Sequence, residues 1–336
     1  MKGGIPPRFG LSKRRVTLRV LDGNSRRPRK HFGARRPALL NRRIQVYGPL
    51  AGRFRQAALY LRRWFGVHWS VVDSNLLSIA AGARVYDLAQ PYFVGMPHHP
   101  SHPPYLFSLT KKHGDMHSPA GHSSAADAIA MGSHVGTHID GFGHFSCGGK
   151  LHGGHVAADV QSYAAGLSVH TAERIEPIVR RGVLLDAAGP DRVLAEDAVL
   201  TADVLRGIAE GQGSVIGAGD VVLIRTGWAQ YWEDATRYIN AVRGTPAGPG
   251  PDLSGAQWLS SHGIFAAGSD TVAFERVPSH DMPVHIHLLF ERGIHIIEAL
   301  DLEALARDRV YEFLFVAAPL KLRGGTGAPL RPVALA

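Results

Sequence analysis

A single cysteine, Cys147, serves the whole 336-residue chain, which excludes an intrachain disulfide framework and a Cys-rich zinc cluster. Long hydrophobic runs are also missing. No stretch of about 18 uninterrupted apolar residues occurs, so no membrane span is expected. The N-terminus lacks the apolar core of an export signal, and a cytoplasmic location is expected. Acids are nearly absent from the first 63 positions, which hold 18 of the 37 Lys and Arg but only Asp22 as a carboxylate. With 19 bases and 27 acids left for the remainder, an arm of charge +17 joins a body of charge −8.

The arm carries KRR at 13–15, RRPRK at 26–30 and RR at 35–36, broken by Gly and Pro. Residues 1–75 are therefore expected to be a basic, low-order extension. Such clusters can neutralise phosphates, which gives one alternative reading, a nucleic-acid-binding protein acting through this arm. No aromatic interleaving or base-reading motif supports it, and an upstream extension or a transit-like leader explains the same composition. Nucleic acid and membrane are not expected as partners. Residues 56–65, QAALYLRRWF, can form a short amphipathic helix.

From about residue 84 the texture changes to short β-branched and aliphatic runs: RVYDLAQP, GVLLDAAG, GDVVLIRTGW, GIFAAGSDT, GIHIIEAL and YEFLFVAAPLKL. These predict buried strands. Between them, TADVLRGIAEG (201–211) and SGAQWLSSHG (254–263) open at Ser or Thr and close at Gly, as helices do. Strands alternating with helices predict an α/β layered domain over 84–335.

What the chain has in abundance is histidine, with 11 of its 19 between positions 98 and 155. Any one of these taken alone is a loop residue by default. The stretch SHVGTHIDGFGHF, 133–145, is different because of its spacing. His134, Gly136, His138 and Asp140 alternate with Val135, Thr137 and Ile139, and β-branched residues favour extended backbone over a helix. Alternate residues of a strand share a face. In a straight strand, however, the His134 and Asp140 Cα atoms would lie roughly 20 Å apart, too far for one ion. The backbone must bend, and Gly136, Gly141 and Gly143 supply the freedom. Two imidazoles and a carboxylate suit Zn²⁺, Mn²⁺ or Fe²⁺ and leave positions for water and substrate. His144, four residues beyond Asp140, is the candidate base or proton shuttle.

The stretch HVGTHIDGFGHF resembles the signature H-x-G-T-H-x-D-x-P-x-H of the cyclase family of metal-dependent hydrolases, which includes kynurenine formamidases and isatin hydrolases. YDLAQPYFVGMP (86–97), VLIRTGW (222–228), GSDT (268–271), PVHIHLLFERGIHIIEAL (283–300) and the closing PLKLRGGTGAPLRPVAL extend the resemblance over roughly 84–335. It implies a swivelling β/β/α domain, a homodimer or homotetramer, and a small-molecule substrate. Metal ligands implied are His134, His138 and Asp140, with His144 catalytic. For a second ion sharing the aspartate, it implies Glu298 and either His285 or His287; His285, which follows PV, is preferred. The cofactor implied is Mn or Zn, one or two ions per chain.

Two departures bear on substrate. Phe142 replaces the signature proline and can stand as an aromatic wall. His99 occupies the place where formamidases carry a substrate-stacking tryptophan, which weighs against N-formylkynurenine. Arg225, at a strand end, can hold a substrate carboxylate or form an internal ion pair. Asp270 is expected to orient a neighbouring loop or a ligand histidine rather than bind metal itself, and Cys147 to be a small buried or partly buried residue. Lys150, His152 and His155, in the insertion SCGGKLHGGH, either reach substrate or are solvated. The expected activity is opening of a C–N bond in a small amide, lactam or imide. Alternatives on the same site are lactone hydrolysis and a dehydratase or cyclase reaction.

Overall fold

The computed structural model describes Ser78 and residues 80–241 and 244–336. The basic extension and the helix expected at 56–65 lie outside the described residues. The runs read as strands in the sequence build the sheet. They are β1 (Val85–Asp87), β5 (Ile178–Asp186), β6 (Val221–Arg225), β7 (Ala266–Ser269), β8 (His295–Glu298) and β9 (Glu312–Ala317). Joining them are β4 (His138–Asp140), β10 (Gly327–Pro329) and β11 (Val333–Leu335), in the order β1-β11-β9-β5-β6-β7-β8-β4-β10. A separate hairpin, β2 (Leu106–Lys111) with β3 (Ala126–Ala130), pairs with no other strand among the described residues.

The centre of the sheet, β5 to β8, is parallel and its flanks are antiparallel. Parallel strands covered on both faces need unbroken apolar runs, and VVLIR in β6 is buried throughout. Alternation divides the core. Leu184, Val221 and Leu223 face one cluster, which includes Leu305 and Ala306 of α4 (Glu303–Arg307). Val183, Leu185, Val222 and Ile224 face the other. There they meet Leu205 and Ala209 of α1 (Ala202–Gln212) and Ala256 and Leu259 of α2 (Leu253–Ser261).

The α1 start follows the sequence signal, with Thr201 accepting from the Val204 N–H, but the helix runs past Gly211 to Gln212 and ends at Gly213, which is left-handed. At α2 the cap is Asp252 rather than Ser254. Asp252 accepts from the Gly255 N–H at 2.9 Å and from the Ser254 hydroxyl at 2.6 Å. A further helix, α3 (Pro283–His285), widens into a π-helical stretch over Ile286–Arg292, an irregularity frequent at functional sites.

Candidate metal centre

Three pieces of chain converge where β8 meets β4. Only His138–Asp140 of the histidine-rich stretch is strand; residues 133–137 form a turn. The required bend falls at Gly136, whose φ of +70° is open to glycine at no steric cost. A Cβ there would overlap the Tyr92 ring. Thr137 pins the turn, because its hydroxyl accepts from the Gln90 N–H and donates to the Ala299 carbonyl, while Tyr92 donates to the Thr137 carbonyl. Antiparallel register then sets His138 opposite Glu298.

His134, His138 and Asp140 can offer ligand atoms within 4.8 Å of one another, and so can Asp140, His285 and Glu298. All five residues are buried. The His134 Nδ1 lies 2.6 Å from Asp140 Oδ1, and its Nε2 lies 2.7 Å from the Thr326 hydroxyl. A ring nitrogen so close to a carboxylate needs a proton or a cation between them. The His138 Nδ1 donates to the Gly136 carbonyl at 2.8 Å, which turns Nε2 towards Asp140 Oδ1 at 3.5 Å and Glu298 Oε2 at 3.4 Å. His285 is fixed through Glu275, which accepts from both its Nδ1 (2.7 Å) and its backbone N–H (3.0 Å). Its Nε2 faces Glu298 Oε1 at 3.2 Å. Carboxylates and carbonyls behind ligand histidines orient metal centres in this way.

A metal fits this donor set. His138 Nε2 and Asp140 Oδ2 are buried without a hydrogen-bond partner, and each such orphan costs about 1–3 kcal/mol. A cation among these atoms removes that cost. Burial opposes ionisation of Asp140, but His144 and His134 beside it hold its carboxyl well below the usual range. Burial likewise opposes ionisation of Glu298, and His138 and His285 outweigh it, so both carboxylates stand ionised.

His144 stacks on His134 with centroids 3.8 Å apart, and burial pushes its pKa down to about 3. It is a neutral base at pH 7. His102 stacks on the same His134 ring at 5.2 Å and lies 6.1 Å from His144. Of the three histidines in the 98–102 loop, His102 stands nearest the centre by ring stacking. His99 lies 5.8 Å from His102, its Nδ1 bound to the Ser101 hydroxyl.

His287 is directed away, bound to Ser260 and Glu291, so the residue brought to Glu298 is His285. Phe142 stacks on His295 at 4.1 Å, and the His295 Nδ1 donates to the Asp140 carbonyl at 2.7 Å. It thus backs the aspartate's strand. Phe145, 4.8 Å from His285, is the aromatic beside a ligand. Arg225 is 2% exposed, and its guanidinium makes five hydrogen bonds, to Glu303 (two), Asp186, Gly189 and Arg192. All five donors of an arginine are thereby used, which corrects the expectation of a substrate contact in favour of the internal ion pair. Asp270 orients a loop, accepting from the Thr226 and Gly227 N–H groups. Cys147 is exposed, contrary to expectation, because its loop turns back on itself through paired hydrogen bonds with Lys150. Lys150 and His155 are exposed, and His152 donates to the Phe290 carbonyl away from the ligand cluster.

Sequence reasoning missed Glu275, His295 and Thr326. Each supports a ligand from a distant segment and carries no local spacing signal.

An α/β sheet holding two such ligand groups on one aspartate defines a metal-dependent enzyme, and comparison with known proteins gives the family. A family model described as Putative cyclase matches residues 86–276. The chain belongs to the cyclase family. It is 30% identical over 210 residues to isatin hydrolase from Roseibium aggregatum, covering 62% of this chain and 73% of that protein. It is 27% identical over 206 residues to kynurenine formamidase from Bacillus thuringiensis, covering 61% and 77%. A solved structure described as a novel cyclase aligns with a TM-score of 0.69 at 28% identity, over 77% of this chain and 89% of that one. Isatin hydrolase A from Ralstonia solanacearum aligns with a TM-score of 0.64 at 26% identity, over 79% and 98%. The nucleic-acid reading of the basic arm finds no support among these hydrolases and cyclases. Among the described residues, no helix is long and apolar enough to cross a membrane.

Proposed function

We propose that the protein hydrolyses the C–N bond of a small amide, lactam or imide at a centre of one or two Mn²⁺ or Zn²⁺ ions. His134, His138 and Asp140 hold the first ion, and Asp140, His285 and Glu298 hold a second where two are bound. The observation that carries this reading is the pair of orphaned ligand atoms, His138 Nε2 and Asp140 Oδ2, buried side by side in a family of hydrolases. When bound, the divalent ion supplies Lewis acidity towards a carbonyl and brings water's pKa towards neutrality.

The chain's own residues supply the rest. His144, neutral at pH 7, accepts the attacking water's proton and returns it to the departing nitrogen, which must be protonated to leave. Its stacking on His134 keeps it beside the residues that would hold the ion. His99 and His102 line the approach and offer substrate ring nitrogens instead of the indole face of a formamidase, which favours isatin-like substrates over N-formylkynurenine. The protein is taken to act in the cytoplasm as a homodimer or homotetramer.

The test is turnover of isatin, formyl-anilides, lactams and lactones by protein loaded with Mn²⁺ or Zn²⁺, beside His144→Ala. Hydrolysis of an amide by the wild type, with kcat lowered roughly 10²–10⁴-fold in a variant that keeps its metal, supports the reading. Turnover of lactones alone, or a product that has lost water, replaces it with the corresponding alternative.

A further inference from the structure

The three histidines of the ligand groups do not present the same ring nitrogen. His138 and His285 have Nδ1 tied down, to the Gly136 carbonyl at 2.8 Å and to Glu275 at 2.7 Å, and they turn Nε2 towards Glu298. His134 is reversed, with Nδ1 2.6 Å from Asp140 Oδ1 and Nε2 2.7 Å from the Thr326 hydroxyl. The partners differ in kind too. A carbonyl or a carboxylate only accepts, so each holds a proton on Nδ1 of its ring, whereas a hydroxyl donates or accepts as its hydrogen rotates.

The edge strand of the sheet puts that hydroxyl in place. β10 pairs antiparallel with β4, setting Gly327 opposite Asp140 and Pro329 opposite His138. Just ahead of it, the Thr326 carbonyl accepts from the Gly141 N–H at 2.9 Å. Gly327 lets the strand pass against the imidazole, since a Cβ there would lie 2.5 Å from His134 Cε1 and 3.0 Å from Nδ1. The pairing that positions Asp140 thus also positions Thr326, and between them they hold both nitrogens of the His134 ring.

We propose that Thr326 is a positioning residue for metal binding, whose hydroxyl lets His134 change its proton from one ring nitrogen to the other and ligate through Nδ1. This rests on the metal centre proposed above. Without a cation, Nδ1 donates to Asp140 and Nε2 accepts from the Thr326 O–H. With the Nδ1 lone pair given to a cation, the ring's proton passes through water to Nε2, and Nε2–H donates to the same threonine oxygen. Neither state leaves a ring nitrogen unpartnered. A ring bound to a cation is the stronger N–H donor, so loss of the hydroxyl weakens the loaded state more than the empty one.

The test compares full-chain wild type with Thr326→Val, which keeps the β-branched shape, and Thr326→Ser, which keeps the hydroxyl, each checked for fold by circular dichroism. Zn²⁺ affinity is measured by chelator competition. Long-range proton–nitrogen NMR spectra of histidine-labelled protein, with and without Zn²⁺, locate the ring protons. The proposal expects Zn²⁺ to bind roughly 10–100-fold more weakly to Thr326→Val and nearly as in wild type to Thr326→Ser. It also expects the ring whose signals move in Thr326→Ser to carry its proton on Nδ1 without Zn²⁺ and on Nε2 with it. The wild-type spectra and the serine variant decide the matter even if valine disturbs the fold. A folded valine variant that binds as tightly as wild type, a serine variant that binds roughly 10–100-fold more weakly than wild type, or a proton that stays on one nitrogen overturns the role of Thr326 and leaves the metal centre standing. A wild type that takes up no Zn²⁺ overturns the metal centre and this role together.

Discussion

His138 and Glu298 stand opposite each other in the antiparallel pairing of β4 with β8, with Nε2 3.4 Å from Oε2. Register thus joins the signature stretch to a carboxylate far along the chain. Glu298 Oε1 also accepts from the Phe274 N–H at 2.7 Å, which a glutamine carbonyl can do equally well. Glu298→Gln is expected to fold normally and to bind metal roughly 100-fold more weakly or worse. Metal retention after dialysis, measured beside circular dichroism, checks this; undiminished retention removes Glu298 from the ligand set.

Protons compete with the metal. Burial alone would lower the His138 pKa, but Asp140 and Glu298 push it up to about 10. At His285 burial is outweighed in the same way by Glu275 and Glu298, again to about 10. Both values lie above the ordinary imidazole value of about 6.5. In the metal-free protein, the two protonated rings stabilise the fold fully below that value and lose their contribution as pH rises through about 10. A metal requires them neutral. Binding at pH 7 is therefore expected to release protons, with affinity rising between pH 6.5 and about 10. Calorimetry in buffers of different ionisation enthalpy counts those protons, and a count of zero contradicts the expectation.

Gly136→Ala places a methyl group against the Tyr92 ring at a φ of +70°. The ring cannot swing away freely, because its hydroxyl is bonded to the Thr137 carbonyl. Loss of about 1–3 kcal/mol is expected, read as a lower denaturant midpoint. An unchanged midpoint would mean that the turn is not constrained as described.

Arg225→Met leaves the buried Asp186 carboxylate without its cation. The expected result is destabilisation of about 3–5 kcal/mol with KM unchanged in the folded fraction. A raised KM at unchanged stability would restore the substrate role.

The sheet was legible in the sequence wherever burial on both faces demanded an unbroken apolar run, as in VVLIR and HIIE. The hairpin was not, because LFSLTK and ADAIA stay almost entirely exposed among the described residues and show no core periodicity. In the site, His134, His138 and Asp140 were legible because one short stretch carries them. Glu298 and His285 came through the family resemblance. Glu275 and His295 act through contacts across the fold, His285 with Glu275 and Asp140 with His295, and a residue's role in such a pair has no local signature. Phe142 and Arg225 have side chains that could suit a substrate, but packing turns one onto His295 and locks the other between Asp186 and Glu303.

The central claim is that the orphaned atoms of His138 and Asp140 belong to a catalytic metal centre. Elemental analysis of wild type and His138→Ala after loading with Mn²⁺ or Zn²⁺, each assayed for amide hydrolysis, tests it most directly. The account predicts one or two ions per chain in the wild type, matching the two ligand groups, and loss of both metal and turnover in the variant. A wild-type protein that takes up no divalent ion, or a variant that hydrolyses as well without one, would contradict it.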